Sequence, residues 1–304
     1  MPVNLPASLP AVKTLGDENV FVMTKERAQT QDVRPLEIGI ANLMPTKIDT
    51  ETQFLRLLSN TPLQIEVTLI QMGGHMSKNT SRDHLESFYK TLDDIKGRRL
   101  DGLIITGAPV ETLNFTDVDY WDELCALMNW SKTNVYSTMH ICWGAQAALY
   151  HHYGVDKFLL DEKLFGVFRH KVLNTTCRMT RGFDDPFLAP HSRRTEVREA
   201  DVVEAGLEIL ANSDHAGVYL AASPDRRQFF VTGHSEYDKF TLDSEYRRDI
   251  DRGLPIKPPV NYYQNNDPKN PPDMLWRAHA HLLFSNWLNY YVYQETPFNL
   301  DELN

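Results

Sequence analysis

The stretch that decides the fold is Asn134-Val-Tyr-Ser-Thr-Met-His-Ile-Cys-Trp-Gly-Ala-Gln-Ala-Ala-Leu-Tyr150. Its first half is apolar and β-branched, which predicts a buried strand, and its second half predicts a helix from Trp143. Cys142 stands between them, where its sulfur would leave the sheet edge at the positive end of the helix; both effects favour a reactive thiolate. The small residues Gly144 and Ala145 let such a turn close tightly. A lone cysteine between apolar runs is also a common core residue, so this stretch alone leaves both readings open.

Segments typical of strands and helices alternate around this turn. Alternation at this length predicts an α/β fold, a mostly parallel sheet with helices on both faces. Such sheets carry their sites at the carboxyl ends of the strands, so the turn Gly107-Ala108-Pro109 can lie beside Cys142 despite its distance in sequence. The predicted strands are 36–43, 63–70, 103–106, 134–141, 164–170, 216–222 and 228–234, and the predicted helices are 48–58, 84–92, 120–130, 143–150 and 276–294.

The two ends of the chain differ in amino-acid composition from its middle. Residues 1–34 are rich in proline and polar residues and predict an N-terminal extension on the surface, with Phe21–Met23 as an anchor. Residues 35–304 are interpreted as one catalytic α/β domain with additional C-terminal helical elements, and 254–272 as a proline-rich loop. The aromatic stripe of the last helix is interpreted as core or dimer contact; it comprises Leu282, Leu283, Trp287 and Tyr291.

Composition narrows the class of protein. The chain has 304 residues, of which 42% are hydrophobic and 24% charged, as in ordinary globular proteins. A net charge of −10 argues against general nucleic-acid binding, and no apolar run reaches the length of a membrane span. Three cysteines that cannot all pair, and a start without signal-peptide features, predict a reducing, cytoplasmic setting. No metal is expected, because the histidines at 151, 152, 279 and 281 lack a convincing ligand set.

A nucleophilic cysteine needs a base and a group that orients the base. His234 follows a predicted strand and therefore also lies at a carboxyl edge, and Glu236 comes two residues later. A carboxylate in that position can fix the imidazole tautomer and stabilise the imidazolium. Taken alone, His234-Ser-Glu-Tyr would be interpreted as a polar surface turn. Together with Cys142 it predicts a Cys–His–Glu triad.

With these residues in that order, the chain resembles the class I glutamine amidotransferase-like group, and within it the homoserine O-acyltransferase family of methionine biosynthesis, its acetyl-transferring members most closely. The matching segments span nearly the whole chain. They are Phe21-Val-Met-Thr, Arg34-Pro-Leu-Glu-Ile-Gly-Ile-Ala-Asn-Leu-Met-Pro, Lys78-Asn-Thr-Ser, Phe88-Tyr-Lys-Thr, Asp101-Gly-Leu-Ile-Ile-Thr-Gly-Ala-Pro, Ile141-Cys-Trp, Lys163-Leu-Phe-Gly-Val-Phe, Arg181-Gly-Phe-Asp-Asp, Pro190-His-Ser-Arg, Gly233-His-Ser-Glu-Tyr-Asp and Phe284-Ser-Asn-Trp-Leu-Asn-Tyr-Tyr-Val-Tyr-Gln.

The resemblance implies a ping-pong acyl transfer. Cys142 would take the acyl group from acyl-CoA as a thioester, and His234, oriented by Glu236, would then take the proton of the homoserine hydroxyl. Among the backbone amides that would stabilise the tetrahedral intermediates, the N–H of Trp143 is one candidate. The resemblance also implies a cytoplasmic homodimer whose only co-substrate is acyl-CoA, without a further cofactor.

The family's substrate-binding positions match Lys163, Ser192 and Arg248 in this chain. Arginine suits the carboxylate of homoserine through paired hydrogen bonds. Without the resemblance, the two cations would be interpreted as solvated surface charges. Arg247 is adjacent to Arg248, but the resemblance favours Arg248 because Asp249 follows it in the family pattern.

The resemblance links donor choice to Glu111, the residue after Gly107-Ala108-Pro109-Val110. Members that transfer succinyl carry glycine there, and glutamate accompanies acetyl transfer. A glutamate would fill the acyl pocket and repel the distal carboxylate of a succinyl group. Acetyl-CoA is therefore the expected donor and succinyl-CoA the alternative; an exposed loop position for Glu111 is the other reading.

Two positions depart from the family pattern. Gly144 stands where many members carry alanine, with little effect expected, and Ser235 stands where proline is common, which removes a backbone restraint between His234 and Glu236. Two other classes remain as alternatives. A glutamine amidotransferase would use the same triad, normally with a synthetase partner, and a cysteine-containing sensor or chaperone would not need Lys163 and the His–Glu pair together.

Overall fold

A computed structural model describes residues 3–6, 8–18, 23–24, 34–74 and 79–303. The strands that it contains in these ranges join one mixed sheet, in the order β2-β1-β4-β3-β6-β7-β12-β11-β10-β8-β9, with β5 paired to β4. They are β1 (Val3–Leu5), β2 (Met23–Thr24), β3 (Leu36–Ala41), β4 (Ile65–Ile70), β5 (Tyr89–Lys90), β6 (Leu100–Ile105), β7 (Val135–Ile141), β8 (Phe158–Val172), β9 (Phe187–Glu196), β10 (Glu208–Ser213), β11 (Gly217–Ala222) and β12 (Gln228–Val231).

The sheet has two parts, which we call the parallel region and the antiparallel arm. In the parallel region, β4, β3, β6, β7 and β12 are all mutually parallel neighbours. The carboxyl ends of β6, β7 and β12 therefore lie side by side, and the residues that follow them are Thr106, Cys142 and Thr232. The antiparallel arm consists of β11, β10, β8 and β9, which continue the sheet beyond β12.

Helices cover both faces of the sheet, as predicted. One face packs against α2 and α9, where Phe54 and Phe284 rings lie 5.9 Å apart, and the other packs against α5 and α6 through Leu124, Leu127 and Leu149. The α-helices are α1 (Pro10–Asp17), α2 (Lys47–Leu58), α3 (Arg82–Phe88), α4 (Leu92–Ile95), α5 (Trp121–Asn134), α6 (Trp143–Tyr153), α7 (Glu199–Glu204), α8 (Thr241–Asp251) and α9 (Arg277–Trp287).

The predicted C-terminal helix is divided. Its α-helical part, α9, ends at Trp287, and a π-helix continues over Leu288–Tyr293. Trp287 donates from its indole N–H to Ser137 Oγ at 2.9 Å, which fixes the helix against β7. Three members of the predicted stripe pack in the core, and Leu282 lies near Gly182.

Two elements near the site were not predicted. In β9 the buried positions include His191 and Arg193, so part of the inward face of that strand is polar. The strand therefore does not show the alternation of apolar and polar residues by which strands are predicted. Helix α8 has only Leu242 and Asp249 buried, so it lacks an apolar stripe. In the predicted helix 84–92, the helix ends at Phe88 and a short strand, β5, follows.

The N-terminal residues that the structure describes are not separate from the rest. Strand β1 pairs with β4 in parallel, and Leu5, Leu9 and Leu15 belong to the same buried cluster as α2. The division at residue 34 stays a prediction. Of the proposed anchor Phe21–Met23, Phe21 and Val22 lie outside the described residues, and Met23 begins β2. Among the helices described, none is both long and apolar enough to cross a bilayer.

Candidate active site

Cys142 lies at a sharp turn between β7 and α6. Its backbone has φ 50° and ψ −115°, a left-handed conformation that residues other than glycine rarely adopt. Its amide donates to Val231 O in β12 at 2.7 Å, which holds the turn at the sheet edge. The amide of Trp143 is the first of α6, and the first amides of a helix have no acceptor within it. The local geometry is therefore that of a nucleophile elbow.

The turn closes against β6 at Gly144. A Cβ added to this glycine would lie 2.5 Å from the carbonyl oxygen of Thr106 and 2.9 Å from that of Ile105. Backbone oxygens cannot yield as a flexible side chain can, so an alanine here requires the end of β6 to move. The expectation of little effect at position 144 stays a prediction, and the variant Gly144→Ala tests whether the end of β6 can move at low cost.

His234 and Glu236 lie beside the cysteine. His234 Nδ1 is 2.6 Å from Glu236 Oε1. A Cβ placed on Gly107 would lie 3.3 Å from Cys142 Cβ and 3.5 Å from His234 Cε1, so the two residues meet across that glycine. All three side chains are buried, Cys142 to 5% exposure, His234 to 3% and Glu236 to 6%. The structure thus brings the three predicted triad residues together.

The charges around His234 determine its protonation. Burial by itself would lower the pKa of His234, but the negative Cys142 sulfur and Glu236 carboxylate, each also hydrogen-bonded to the ring, raise it well above its ordinary value. Glu236 Oε2 has no hydrogen-bond partner among the described residues, whereas Oε1 lies 2.6 Å from the imidazole. The arrangement favours a protonated His234 in the resting site.

The segment around His234 is fixed by the antiparallel arm. The His234 amide donates to Pro190 O in β9 at 2.8 Å, and Ser235 Oγ lies 2.5 Å from the hydroxyl of Tyr219 in β11. Ser235 thus replaces the restraint of a proline ring with a buried hydrogen bond. The His234–Glu236 contact remains short with serine at this position.

Lys163, on β8, and Ser192, on β9, meet at one carboxylate that the sequence did not single out. This is Glu245 of α8: its Oε2 accepts from Ser192 Oγ at 2.5 Å and lies 3.4 Å from Lys163 Nζ, and its Oε1 accepts from the Tyr237 hydroxyl at 2.7 Å. The Tyr237 ring in turn stacks on His234, with 4.1 Å between ring centroids. Contacts through Glu245 and Tyr237 therefore connect the predicted substrate-binding residues Lys163 and Ser192 to His234 of the triad.

Arg248 joins the same group of charges through its neighbour Asp249. Arg248 Nη2 lies 2.7 Å from Asp249 Oδ1, and Asp249 Oδ2 lies 3.5 Å from Lys163 Nζ. The Arg248 side chain is 47% exposed, whereas that of Asp249 is 7% exposed. One guanidinium is thus held at the mouth of the site by a buried carboxylate. Glu245 lies three residues before Arg248 on α8, and the lack of an apolar stripe on this helix hid that relation from sequence reasoning.

Glu111 lies within reach of the same charges. Burial raises the pKa of its carboxyl group, opposed by a hydrogen bond from the Arg194 backbone and by the positive charges of Lys163, His234 and Arg193. The Glu111 side chain is half-buried. The alternative that Glu111 is a solvated loop residue does not describe this environment.

A second buried polar cluster lies at the same sheet edge, behind the end of β3. Glu51 Oε1 accepts from the Tyr89 hydroxyl at 2.5 Å and lies 3.0 Å from His84 Nε2, and Asn42 Nδ2 donates to the same hydroxyl at 2.9 Å. Lys47 donates to the Asn42 carbonyl, and burial lowers its pKa to about 8. Sequence reasoning missed this cluster, because its members are spread over α2, α3, β5 and the residue that follows β3.

No three His, Cys, Asp or Glu side chains of the described ranges come together as a metal site. The three cysteines are unpaired; Cys177 lies far along the chain from Cys142, with its sulfur 3.4 Å from the Tyr291 hydroxyl.

A cysteine elbow with a His–Glu pair on a parallel sheet defines a class I glutamine amidotransferase-like fold. Solved structures agree: a glutamine amidotransferase from Thermotoga maritima has a TM-score of 0.53 at 10% identity, covering 84% of this chain and 98% of that one. Another from Methylobacillus flagellatus has a TM-score of 0.51 at 13% identity, covering 84% and 95%. At these identities the likeness concerns the fold, and it confirms the predicted fold class.

The family follows from sequence. A model of the family described as homoserine O-succinyltransferase matches residues 2–298, and the chain belongs to this family. Relatives named homoserine O-acetyltransferase include one from Acetivibrio thermocellus, 60% identical over the full length of both chains. Another, from Clostridium acetobutylicum, is 58% identical over 99% of this chain and all of its own. The predicted resemblance is confirmed.

Proposed function

We propose that this protein transfers an acetyl group from acetyl-CoA to the hydroxyl of L-homoserine, giving O-acetyl-L-homoserine and CoA, the first committed step of methionine biosynthesis. The observation that carries the proposal is the full-length identity of about 60% to relatives named homoserine O-acetyltransferase. The family description names succinyl transfer instead, so the donor has to be argued from the site.

In the first half-reaction the Cys142 thiolate attacks the thioester carbonyl. The tetrahedral oxyanion collapses, the bond to the CoA sulfur breaks, and His234 delivers its proton to that leaving sulfur. The raised pKa of His234 supports this role, because the ring holds a proton in the resting enzyme. The Trp143 amide is the proposed donor to the oxyanion. The product is an acyl-thioester on Cys142.

In the second half-reaction the same ring acts as base. Once the sulfur is acylated, its negative charge no longer raises the pKa of His234, and the imidazole can accept the hydroxyl proton of homoserine. The alkoxide attacks the thioester, and the Cys142 sulfur leaves as thiolate. Glu236 keeps the ring oriented and balances its charge in both halves.

Homoserine carries one carboxylate and one ammonium group. The exposed Arg248 suits the carboxylate, since a guanidinium can donate two parallel hydrogen bonds to it, with Lys163 and Ser192 nearby. Glu245, which touches Lys163, Ser192 and Tyr237, is the carboxylate proposed to receive the ammonium group. Its contact with Tyr237 sets the substrate close to His234.

Glu111 is the basis for choosing acetyl. The positive charges of Lys163 and His234 act on its carboxylate, and this supports placing Glu111 on the side of the site that receives the acyl group. A succinyl chain would bring a second carboxylate into that half-buried region, and unscreened like charges are unfavourable. A methyl group adds no charge.

The deciding experiment follows CoA release with homoserine and either acetyl-CoA or succinyl-CoA at equal concentration. Release with acetyl-CoA that depends on homoserine, together with an acetyl mass increment on Cys142, is the expected result. Preference for succinyl-CoA would retain the family and mechanism but reject the donor. Hydrolysis of glutamine without acyl transfer would favour the amidotransferase alternative, and no reaction with any of these would favour a sensor or chaperone.

The variant Glu111→Gly sharpens the donor test. Removing the carboxylate should raise kcat/KM for succinyl-CoA by about 10- to 100-fold, since one unfavourable charge contact of a few kcal/mol is lost. Glu111→Gln separates charge from volume, because it keeps the size of the side chain. A Glu111→Gly enzyme that still rejects succinyl-CoA while using acetyl-CoA normally would show that Glu111 is not the discriminator.

The cellular setting and assembly remain proposals. We infer a reducing cytoplasm, which the three unpaired cysteines support, and a homodimer, which rests on family resemblance. Sedimentation or light scattering of the purified protein tests the dimer.

A further inference from the structure

Arg194 is a half-buried cation near the site, and none of the residues that the structure describes supplies it with a counter-charge. Arg194 follows Ser192 by two positions on β9, so both side chains point to the same face of the strand. The Arg194 backbone bonds Glu111, but its guanidinium has no ion pair or hydrogen bond with any residue that the structure describes. The neighbouring Arg193 differs, since it is buried and donates to the carbonyls of Thr195 and Ala216.

The strand geometry explains why Arg194 projects from the ladder. Pairing between β8 and β9 passes directly from Leu159–Thr195 to Leu164–Arg193. Residues 160–163 therefore bulge outward opposite the single residue Arg194. Such bulges redirect side chains beside functional sites. Here the bulge ends at Lys163. The same bulge therefore positions Lys163 in the site and leaves Arg194 at the edge of the site.

A second cation lies across the loop that carries Glu111. Lys157 donates from Nζ to Leu113 O at 2.6 Å and lies 4.7 Å from the centre of the Phe115 ring. Burial lowers the pKa of Lys157, and the nearby Asp156 and Glu111 carboxylates raise it, with burial the larger effect. Lys157 therefore interacts with Glu111 through its charge and Arg194 interacts with it through its backbone, and the charge of His234 acts on the same carboxylate.

An exposed leucine lies beside these cations. Leu113, whose carbonyl accepts from Lys157 Nζ, is 45% exposed. We call Lys157, Arg194 and Leu113 the cationic rim. A surface that combines two cations with an apolar side chain matches a ligand that has both phosphates and a long neutral arm.

We propose that the cationic rim binds the phosphorylated nucleotide end of the coenzyme A thioester. The inference rests on the proposed acyl transfer, in which the thioester must reach Cys142 while its phosphates stay outside. The charges around homoserine are already balanced, Lys163 by Glu245 and Asp249, and Arg248 by Asp249. In a chain of net charge −10, binding a highly anionic donor requires a local positive surface, and the rim supplies one.

The test compares two donors with one reacting end: acetyl-CoA, and acetyl-pantetheine, which has the thioester and neutral arm but no phosphates. Arg194→Gln is the informative variant, because its guanidinium gives up no described contact. It should lower kcat/KM for acetyl-CoA by about tenfold or more, as expected when a charge-assisted contact is lost. The value for acetyl-pantetheine and the KM for homoserine should stay as in the wild type.

Added salt and a competing ligand sharpen the test. Raising ionic strength should weaken the use of acetyl-CoA in the wild type and do so less in Arg194→Gln, because fewer phosphate contacts remain. Adenosine 3′,5′-bisphosphate should compete with acetyl-CoA in the wild type and lose this inhibition in the variant. Arg169→Gln, an exposed arginine farther along β8, is the control and should behave as the wild type.

The contrary outcomes are separable. Equal losses with both donors would mean that Arg194 serves the reacting end, and no loss with either would mean that the phosphates bind elsewhere; each overturns the proposal. A wild-type enzyme that releases no CoA from acetyl-CoA and homoserine would instead reject the proposed function. Lys157 also contacts the loop that carries Glu111. A loss of acetyl-CoA use in Lys157→Gln therefore supports phosphate binding only if the variant still prefers acetyl-CoA to succinyl-CoA as the wild type does.

Discussion

The parallel region and the antiparallel arm contribute different things to one site. Strand ends of the parallel region bring the Cys142 thiol, the tight Gly107 turn and His234 together, and most of the precision there comes from backbone contacts. The arm, with α8, brings side-chain charges: Lys163, Ser192 and the residues that meet them. The parallel region sets the position of the Cys142 turn, whereas the arm supplies most of the side-chain charges and also holds the His234 segment in place.

This difference suggests how the same fold can serve several reactions. A thiolate elbow with a His–Glu pair can attack any reachable carbonyl, whereas the arm determines which molecules are held there. Substitutions in the parallel region should therefore lower kcat, and those in the arm should raise KM for a particular substrate. The following variants test that separation, beginning with the largest expected effect.

Cys142→Ala should abolish transfer, with a loss of kcat of at least about 10³-fold, because it removes the sulfur that forms the acyl thioester. Mass spectrometry of enzyme mixed with acetyl-CoA should show no acetyl adduct. Circular dichroism should match the wild type, and Cys125→Ala is the matched control. Substantial remaining transfer would reject the covalent mechanism.

Glu236→Gln should lower kcat by about 10²- to 10⁴-fold, since the imidazole loses its charge partner and its fixed tautomer. The KM for homoserine should change little. Because Glu236 is one of two negative groups that raise the pKa of His234, that pKa should fall in the variant, and the pH profile of acylation should shift to lower pH. An unchanged kcat would remove Glu236 from the triad.

Glu245→Gln tests the arm. Losing the charge should raise the KM for homoserine by about tenfold, with a smaller effect on kcat and on KM for the acyl donor. Steady-state kinetics with each substrate varied in turn measure this. Glu162→Gln, an exposed residue on β8 paired with Lys257, is the control. A loss of kcat alone, with both KM values unchanged, would contradict the division between the two parts.

Gly144→Ala should destabilise the protein by about 1–3 kcal/mol, because the added methyl group meets backbone oxygens at the end of β6. Urea unfolding measures the loss. Gly97→Ala is the matched control, since a Cβ there meets nothing within 4 Å. Equal stabilities for the two variants would mean that β6 adjusts without cost.

The sequence predicted the parallel region better than the arm. Strands β3, β4, β6, β7 and β12 are rich in buried apolar residues, so their positions and common edge could be predicted. Strand β9 could not, because its buried face carries His191 and Arg193, and burial of polar groups there depends on partners from distant segments. The triad was predicted from motifs and resemblance, whereas Glu245 and Arg194 required the geometry of α8 and of the β8 bulge.

The left-handed backbone of Cys142 has a consequence for how such a protein can be improved. A side chain held at φ 50° keeps about 1–3 kcal/mol of backbone strain that a glycine would release. At Cys142, therefore, a higher free energy of unfolding is available only by giving up the catalytic thiol. Selection for thermal stability alone would favour variants without the thiol. Stabilising substitutions that keep activity therefore have to be made at other positions in the chain.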